Sequence, residues 1–177
     1  MPADWAATSA HLASAYWNLA QVSKDAAALE RAIAAGRDAI EATPRATLPR
    51  DWAMLRNDLG GMLAELAAMK DDAALYSQAA DEYRKALEVF NPDEAAFEWA
   101  RATGAMGETL LEAGKLGRNP ALLQEAKETL DRTVEIWKLF GDEKRTRAAE
   151  LLAGEAQLAL LSLDADERLK EAGGTAD

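Results

Sequence analysis

Between residues 52 and 66 the apolar positions are Trp52, Leu55, Leu59, Leu63 and Leu66, steps of three and four that gather one face of an α-helix against a neighbour. Tyr76, Ala79, Ala80, Tyr83, Ala86, Leu87 and Phe90 form a second stripe of this kind. Leu29, Ala32, Ala39 and Ile40 form a third, and Leu123, Ala126, Leu130, Val134 and Trp137 a fourth. Caps and breakers divide the stripes into seven expected helices. The first covers about residues 3–22; Ser23 caps the second, which Pro44 stops after about residue 42. Pro49 opens a third to about residue 69, and Asp71 or Asp72 caps a fourth that ends near Phe90. Asn91-Pro92-Asp93-Glu94 supplies a cap, a first-turn proline and an acid three residues after the cap for the fifth, whose end Gly114 and Gly117 loosen. Asn119-Pro120 starts the sixth, Gly141 ends it, and a seventh runs over about 142–171. Short turns make sequential neighbours antiparallel, so the expectation is three helix pairs and one further helix.

The pattern also repeats at long range. Trp5, Trp52 and Trp99 lie 47 residues apart, each followed by alanine, and Ala13, Gly60, Gly107 and Gly154 keep the same interval. Self-similarity at some tens of residues marks stacked repeats, in which no unit buries both its apolar faces alone. Small residues in the helix interior, where glycine costs about 1 kcal/mol against alanine, are explained if they let helices approach closely. On that reading Gly107→Leu costs several times what Gly107→Ala costs.

Within the repeat, Leu59-Gly60-x-x-Leu63 followed by Ala79-x-x-x-Tyr83-x-x-Ala86 and by Asn91-Pro92 resembles the tetratricopeptide repeat. The first repeat carries Leu12-Ala13-x-x-Tyr16, Ala32, Gly36, Ala39 and Pro44; the third carries Met106-Gly107-x-x-Leu110, Ala126, Leu130 and Thr133. The interval exceeds the family's period of about 34 residues. Seven extra residues between the two halves, about two helical turns, lengthen each helix by one turn and return its side chains to the same face. The chain is thus similar to a long-helix bacterial variant of that family. The resemblance implies an all-α, right-handed helical-hairpin solenoid: three antiparallel pairs (repeats about 3–48, 49–91 and 92–141) plus a C-terminal capping helix (142–171). One domain over 1–171 and a flexible tail over 172–177 are expected.

Composition narrows the chemistry. Alanine and leucine dominate while β-branched residues are sparse, which favours helix, and 49% hydrophobic residues exclude disorder by composition. No cysteine and one histidine, His11, leave no thiolate or imidazole cluster for a metal. A formal charge of −11 disfavours nucleic acid or an anionic membrane as partner. The N-terminus has no basic region followed by an apolar core, and the uncharged stretch 5–23 contains too many polar groups for a bilayer span. A cytoplasmic protein is expected. No Glu-x-x-His pair, phosphate loop or His-Glu-x-x-His helix is present, and acid-base runs such as Asp81-Glu82-Arg84-Lys85 read as a solvated face. The expectation is a protein that is not an enzyme and needs no cofactor.

The family resemblance implies a concave groove lined by the first helix of each repeat. Carried onto this chain, that face comprises Ala7, Ala10, Ser14, Trp17 and Asn18; Met54, Asn57, Asp58, Ala64 and Glu65; and Arg101, Gly104, Glu108, Leu111 and Glu112. Trp17, Asn18, Met54, Asn57, Asp58, Glu65, Arg101, Glu108 and Glu112 are the candidate partner-binding residues. The family's carboxylate clamp needs lysine and asparagine, and only Asn57 partly meets it. Asp58, Glu65, Glu108 and Glu112 instead suggest a mildly acidic groove favouring peptides that bear lysine or arginine, with electrostatics setting on-rate and selectivity. The alternative for these acids is that they only keep the surface soluble.

The ends offer a different working surface. The first helix has no charge between Asp4 and Lys24, and Leu151, Leu152, Leu158, Leu160, Leu161 and Leu163 spread around the last helix beyond one buried stripe. Beside an adaptor that binds a protein partner, two further readings follow: a structural protein that self-assembles through these edges as a homo-oligomer, and a regulatory module of a larger system.

Overall fold

The backbone repeats at the same 47-residue interval as the sequence, and the turns show why. Lys24, Asp71 and Arg118 each adopt a left-handed conformation, with φ of 54°, 49° and 46°. Each is followed by a cap, Asp25, Asp72 or Asn119, whose side-chain oxygen accepts a hydrogen bond from the amide of Ala27, Ala74 or Ala121 at 2.9, 2.8 and 3.0 Å. One left-handed residue reverses the chain and one oxygen satisfies an amide that the new helix leaves without a partner. The longer connections repeat as well: Leu48 N–H bonds to Pro44 O and Ala95 N–H to Asn91 O, both 2.9 Å.

The structure is a computed structural model that describes residues 2–173, with side chains described for residues 5–171. Among the described residues it is all-α, with no strand: α1 (Pro2–Ser23), α2 (Ala26–Ala42), α3 (Pro49–Lys70), α4 (Ala73–Leu87), α5 (Ala96–Leu116), α6 (Pro120–Leu139) and α7 (Glu143–Gly173). Each helix packs on the next, and α3 also meets α5 as α5 meets α7, so odd-numbered helices lie along one side. None is long and apolar enough to cross a membrane.

Several boundaries differ from expectation for local reasons. Asp25, not Ser23, caps α2, because Ser23 Oγ donates back to Leu19 O and stays in α1. Asp72 caps α4 while Asp71 takes the left-handed position before it. Asn91 Oδ1 accepts from the amides of Asp93 and Glu94, as a helix cap would. These bonds close a single turn, and α5 begins only at Ala96. The fourth helix stops at Leu87, short of Phe90, so Phe90 packs in the core from a turn. Gly114 does not loosen α5: it is buried, with Leu123 packed against it. Helix α7 reaches Gly173, past the expected end, and the remainder of the expected tail, residues 174–177, lies outside the described residues.

The stripes fill two main clusters. Leu29, Ile40, Trp52, Leu59, Leu63, Phe90 and Ala102 fill the first, across α1–α5; Tyr83, Met106, Leu110, Leu123 and Ala156 fill the second, across α4–α7. Small residues set the approach of the helices. A Cβ at Gly60 would stand 3.0 Å from the Tyr83 ring, and one at Gly107 would stand 2.6 Å from Leu130 Cγ. Gly154 departs from the expected role: it is exposed, and nothing lies within 4 Å of its would-be Cβ. The guanidinium groups of Arg45 and Arg56 both lie over the Trp52 ring, at 4.7 and 4.8 Å from its centroid. Arg56 is in turn held by Glu82, 2.6 Å away on α4.

Candidate functional site

Two adjoining cavities run across the odd-numbered helices. The larger, about 630 Å³, lies between α1 and α3, under the turn that joins α2 to α3. Ala6, Ala7 and Ala10 form one wall, Pro44 and Leu48 another, and Met54, Leu55, Asp51 and Asp58 the α3 side. The smaller, about 190 Å³, lies between α3 and α5 among Met54, Asn57, Asp58, Phe90, Phe97, Glu98 and Arg101. Met54 and Asp58 line both, so the two cavities adjoin at these side chains. Alanines on α1 create the space, since a larger side chain at positions 6, 7 or 10 would fill it.

Four of the nine candidate binding residues, Met54, Asn57, Asp58 and Arg101, meet in the smaller cavity. Met54 is exposed, an apolar side chain open to a ligand. Asn57 Nδ2 donates to Asp58 Oδ1 at 3.3 Å. Burial pushes the Asp58 carboxyl above its ordinary range, against the opposing pull of the Asn57 hydrogen bond and the Arg101 charge. Farther along α5, Glu108 is pushed up by desolvation and by its neighbour Glu112. The buried Tyr83 hydroxyl of α4 is likewise raised, first by burial and then by the charges of Glu108 and Asp58. Asp58, Arg101, Glu108 and Tyr83 thus share one electrostatic neighbourhood, although they come from three helices.

The other candidates divide. Trp17 and Glu65 are brought together, but on each other: Trp17 Nε1 donates to Glu65 Oε2 at 2.5 Å, and Gln21 Nε2 reaches the same oxygen at 3.5 Å. A Cβ at Gly61 would stand 2.9 Å from the Trp17 ring, so this glycine allows the ring to lie across α3. Glu112 is paired with Lys115 at 2.8 Å, and Lys115 continues to Glu155 on α7 at 2.7 Å. Of the four carboxylates expected in the groove, Asp58 lines both cavities, Glu65 and Glu112 are engaged by Trp17 and Lys115, and Glu108 lies farther along α5, outside both linings. Asn18 is exposed on α1 away from both cavities, and Leu111, assigned to the groove face, is fully buried. Sequence reasoning missed the walls given by Pro44, Thr47 and Leu48 and by Phe90 and Phe97. The signal lies in the paired prolines 44 and 49, which hold a six-residue turn over the α1–α3 space besides ending one helix and starting the next.

Asp58 makes a measurable pH signature. Its folded-state pKa lies above the unfolded value near 3.8 because burial disfavours the charge. The folded chain therefore takes up this proton first on acidification. Ionised Asp58 costs stability at neutral pH, and the cost vanishes as pH falls through the raised pKa toward the unfolded one. Asp58→Asn should raise the melting temperature at pH 7 and lose that advantage near pH 3; an equal gain at both values would contradict the burial origin.

Among the described residues, no three His, Asp or Glu side chains converge as a metal ion would require. Comparison of the chain with protein-family models, with curated proteins and with solved structures yields no match.

Proposed function

We propose that the chain is a non-enzymatic adaptor of the tetratricopeptide type. In this reading it is a right-handed stack of three long helix pairs with a capping helix, and it holds a peptide or helix of a protein partner along α1, α3 and α5. The observation that carries the reading is the pair of adjoining cavities across α1, α3 and α5 that share Met54 and Asp58 as lining. Their walls carry methyl groups, a thioether and two phenylalanines, with the carboxylates of Asp51 and Asp58 beside Arg101 and a Glu98 already paired with Arg50. Such a surface fits a lysine or arginine side chain whose aliphatic stem lies on the apolar wall while its head meets Asp58 or Glu108. The net charge of −11 adds a long-range attraction for a basic segment. A groove of this kind recognises by shape and charge, and uses preformed apolar pockets for the stem.

The test starts from a partner captured with the whole chain and reduced to its binding peptide. Asp58→Lys together with Glu108→Lys should weaken that peptide at least tenfold, about 1.4 kcal/mol, with the loss largest at low salt. Glu65→Lys should do less, because Glu65 is held by Trp17. Unchanged affinity in the double variant, with helix content intact by circular dichroism, would remove the groove from the function.

A further inference from the structure

We infer that the outer face of α1 is the docking surface for a second copy of this chain, the two α1 helices pairing antiparallel about a two-fold axis. Trp5, Leu12 and Leu19 follow one another at seven-residue steps, and Thr8, Ala15 and Val22 do the same three positions on, which is the seam of a helix built to pack on another helix. All six are exposed. Shifted by the 47-residue repeat, Trp5, Leu12 and Leu19 become Trp52, Leu59 and Leu66 of α3. There the face is covered by the preceding helix pair, and these side chains are 8%, 2% and 4% exposed, against 58%, 47% and 51% in α1. The repeat therefore builds the same interface at α1, and nothing among the described residues covers it.

The occupant follows from charge and size. A chain of net charge −11 repels its own copy across most of its surface. The α1 face carries no Asp, Glu, Lys or Arg between Trp5 and Ser23, so two copies meet there without opposing carboxylates. The exposed leucines of α7 have no such freedom, since Arg147, Glu150, Glu155 and Arg168 stand among them. In the antiparallel pairing each large residue falls opposite a smaller one: Trp5 opposite Val22, Leu12 opposite Ala15 and Leu19 opposite Thr8. A two-fold contact needs this self-complementarity, and it is the commonest closed arrangement of identical subunits. The α1 alanines that line the larger cavity, Ala6, Ala7 and Ala10, lie on another side of the helix, so pairing leaves that cavity open.

Sedimentation of the whole chain over the micromolar range tests the inference. A dimer of twice the 19.1 kDa chain mass is expected. Leu12→Glu should raise its dissociation constant at least a hundredfold, and the resulting monomer should keep its helix content, because the stripe is exposed in the single chain. Ala15→Leu should also weaken pairing, and Leu12→Ala combined with Ala15→Leu should restore it, which a parallel arrangement does not predict. Asp58→Lys should leave the mass unchanged, separating this contact from the proposed groove. A wild-type mass of one chain at every concentration overturns the proposal. A dimer that survives Leu12→Glu but falls apart with Leu158→Glu overturns it in favour of α7.

Discussion

Gly107→Ala should lower the unfolding free energy by about 3 kcal/mol, the upper range for forcing extra carbon into a packed core. The added Cβ would stand 2.6 Å from Leu130 Cγ and 2.9 Å from its Cδ2, closer than carbon atoms tolerate. Leu130 is fully buried, and its Cγ is not the free end of the side chain, so relief requires α6 to move away from α5. The melting temperature should fall by about 10 °C for a chain of this length. Two other glycines isolate the cause. At Gly36 the new atom meets ordinary contact distances of 3.7 Å and beyond, and at Gly154 it meets nothing within 4 Å. Alanine at either position should be neutral or stabilising by up to about 1 kcal/mol, through helix propensity alone. The structure thus alters the expectation drawn from the repeat: alanine, not only leucine, is too large at Gly107. Equal melting temperatures for Gly107→Ala and Gly154→Ala would exclude close approach as the reason for the glycine.

Tyr83→Ala should cost about 4 kcal/mol, as removal of a buried aromatic ring leaves a cavity that rigid helices fill poorly. Tyr83 packs its ring over Gly60 of α3 from α4, belongs to the second core cluster, and brings its hydroxyl within 3.6 Å of where a Gly61 Cβ would stand. It therefore couples the middle pair to the third and supports the floor beneath Asp58. Tyr83→Phe keeps the ring and should stay within about 1 kcal/mol of the parent. Chemical denaturation of the three proteins distinguishes packing from hydrogen bonding: if phenylalanine proves as damaging as alanine, the hydroxyl and not the ring does the holding.

Legibility in the sequence followed the range of the interaction involved. Helix caps and left-handed turns depend on residues next to one another, and Asp72, Asn119, Pro49 and Pro120 were readable for that reason. Even so, Asn91 shows the limit, because a side chain that caps two amides closes one turn as readily as it starts a helix. Among the candidate residues, Met54, Asn57, Asp58 and Arg101 come to line one cavity because they share one side of α3 and α5. That Glu65 is engaged is not legible, because its hydrogen-bond partner, Trp17, lies 48 positions away. Sequence alone assigns a carboxylate to a face without showing whether another side chain already occupies it.

The stripes, the breakers and the 47-residue interval by themselves determined seven helices in pairs, the positions that meet in the core, and the absence of any cysteine or histidine cluster. All of these follow from local geometry and counting. Only the tertiary structure decided which of identical repeat positions are buried. Trp5 and Trp52 occupy the same place in the repeat, yet one is exposed and the other is buried with two arginines against its ring, because burial belongs to what packs on a helix and not to the helix itself. The same reason governs the two cavities: their volumes are the spaces left between α1, α3, α5 and the turns beside them, a property of distances that no single stretch of chain contains.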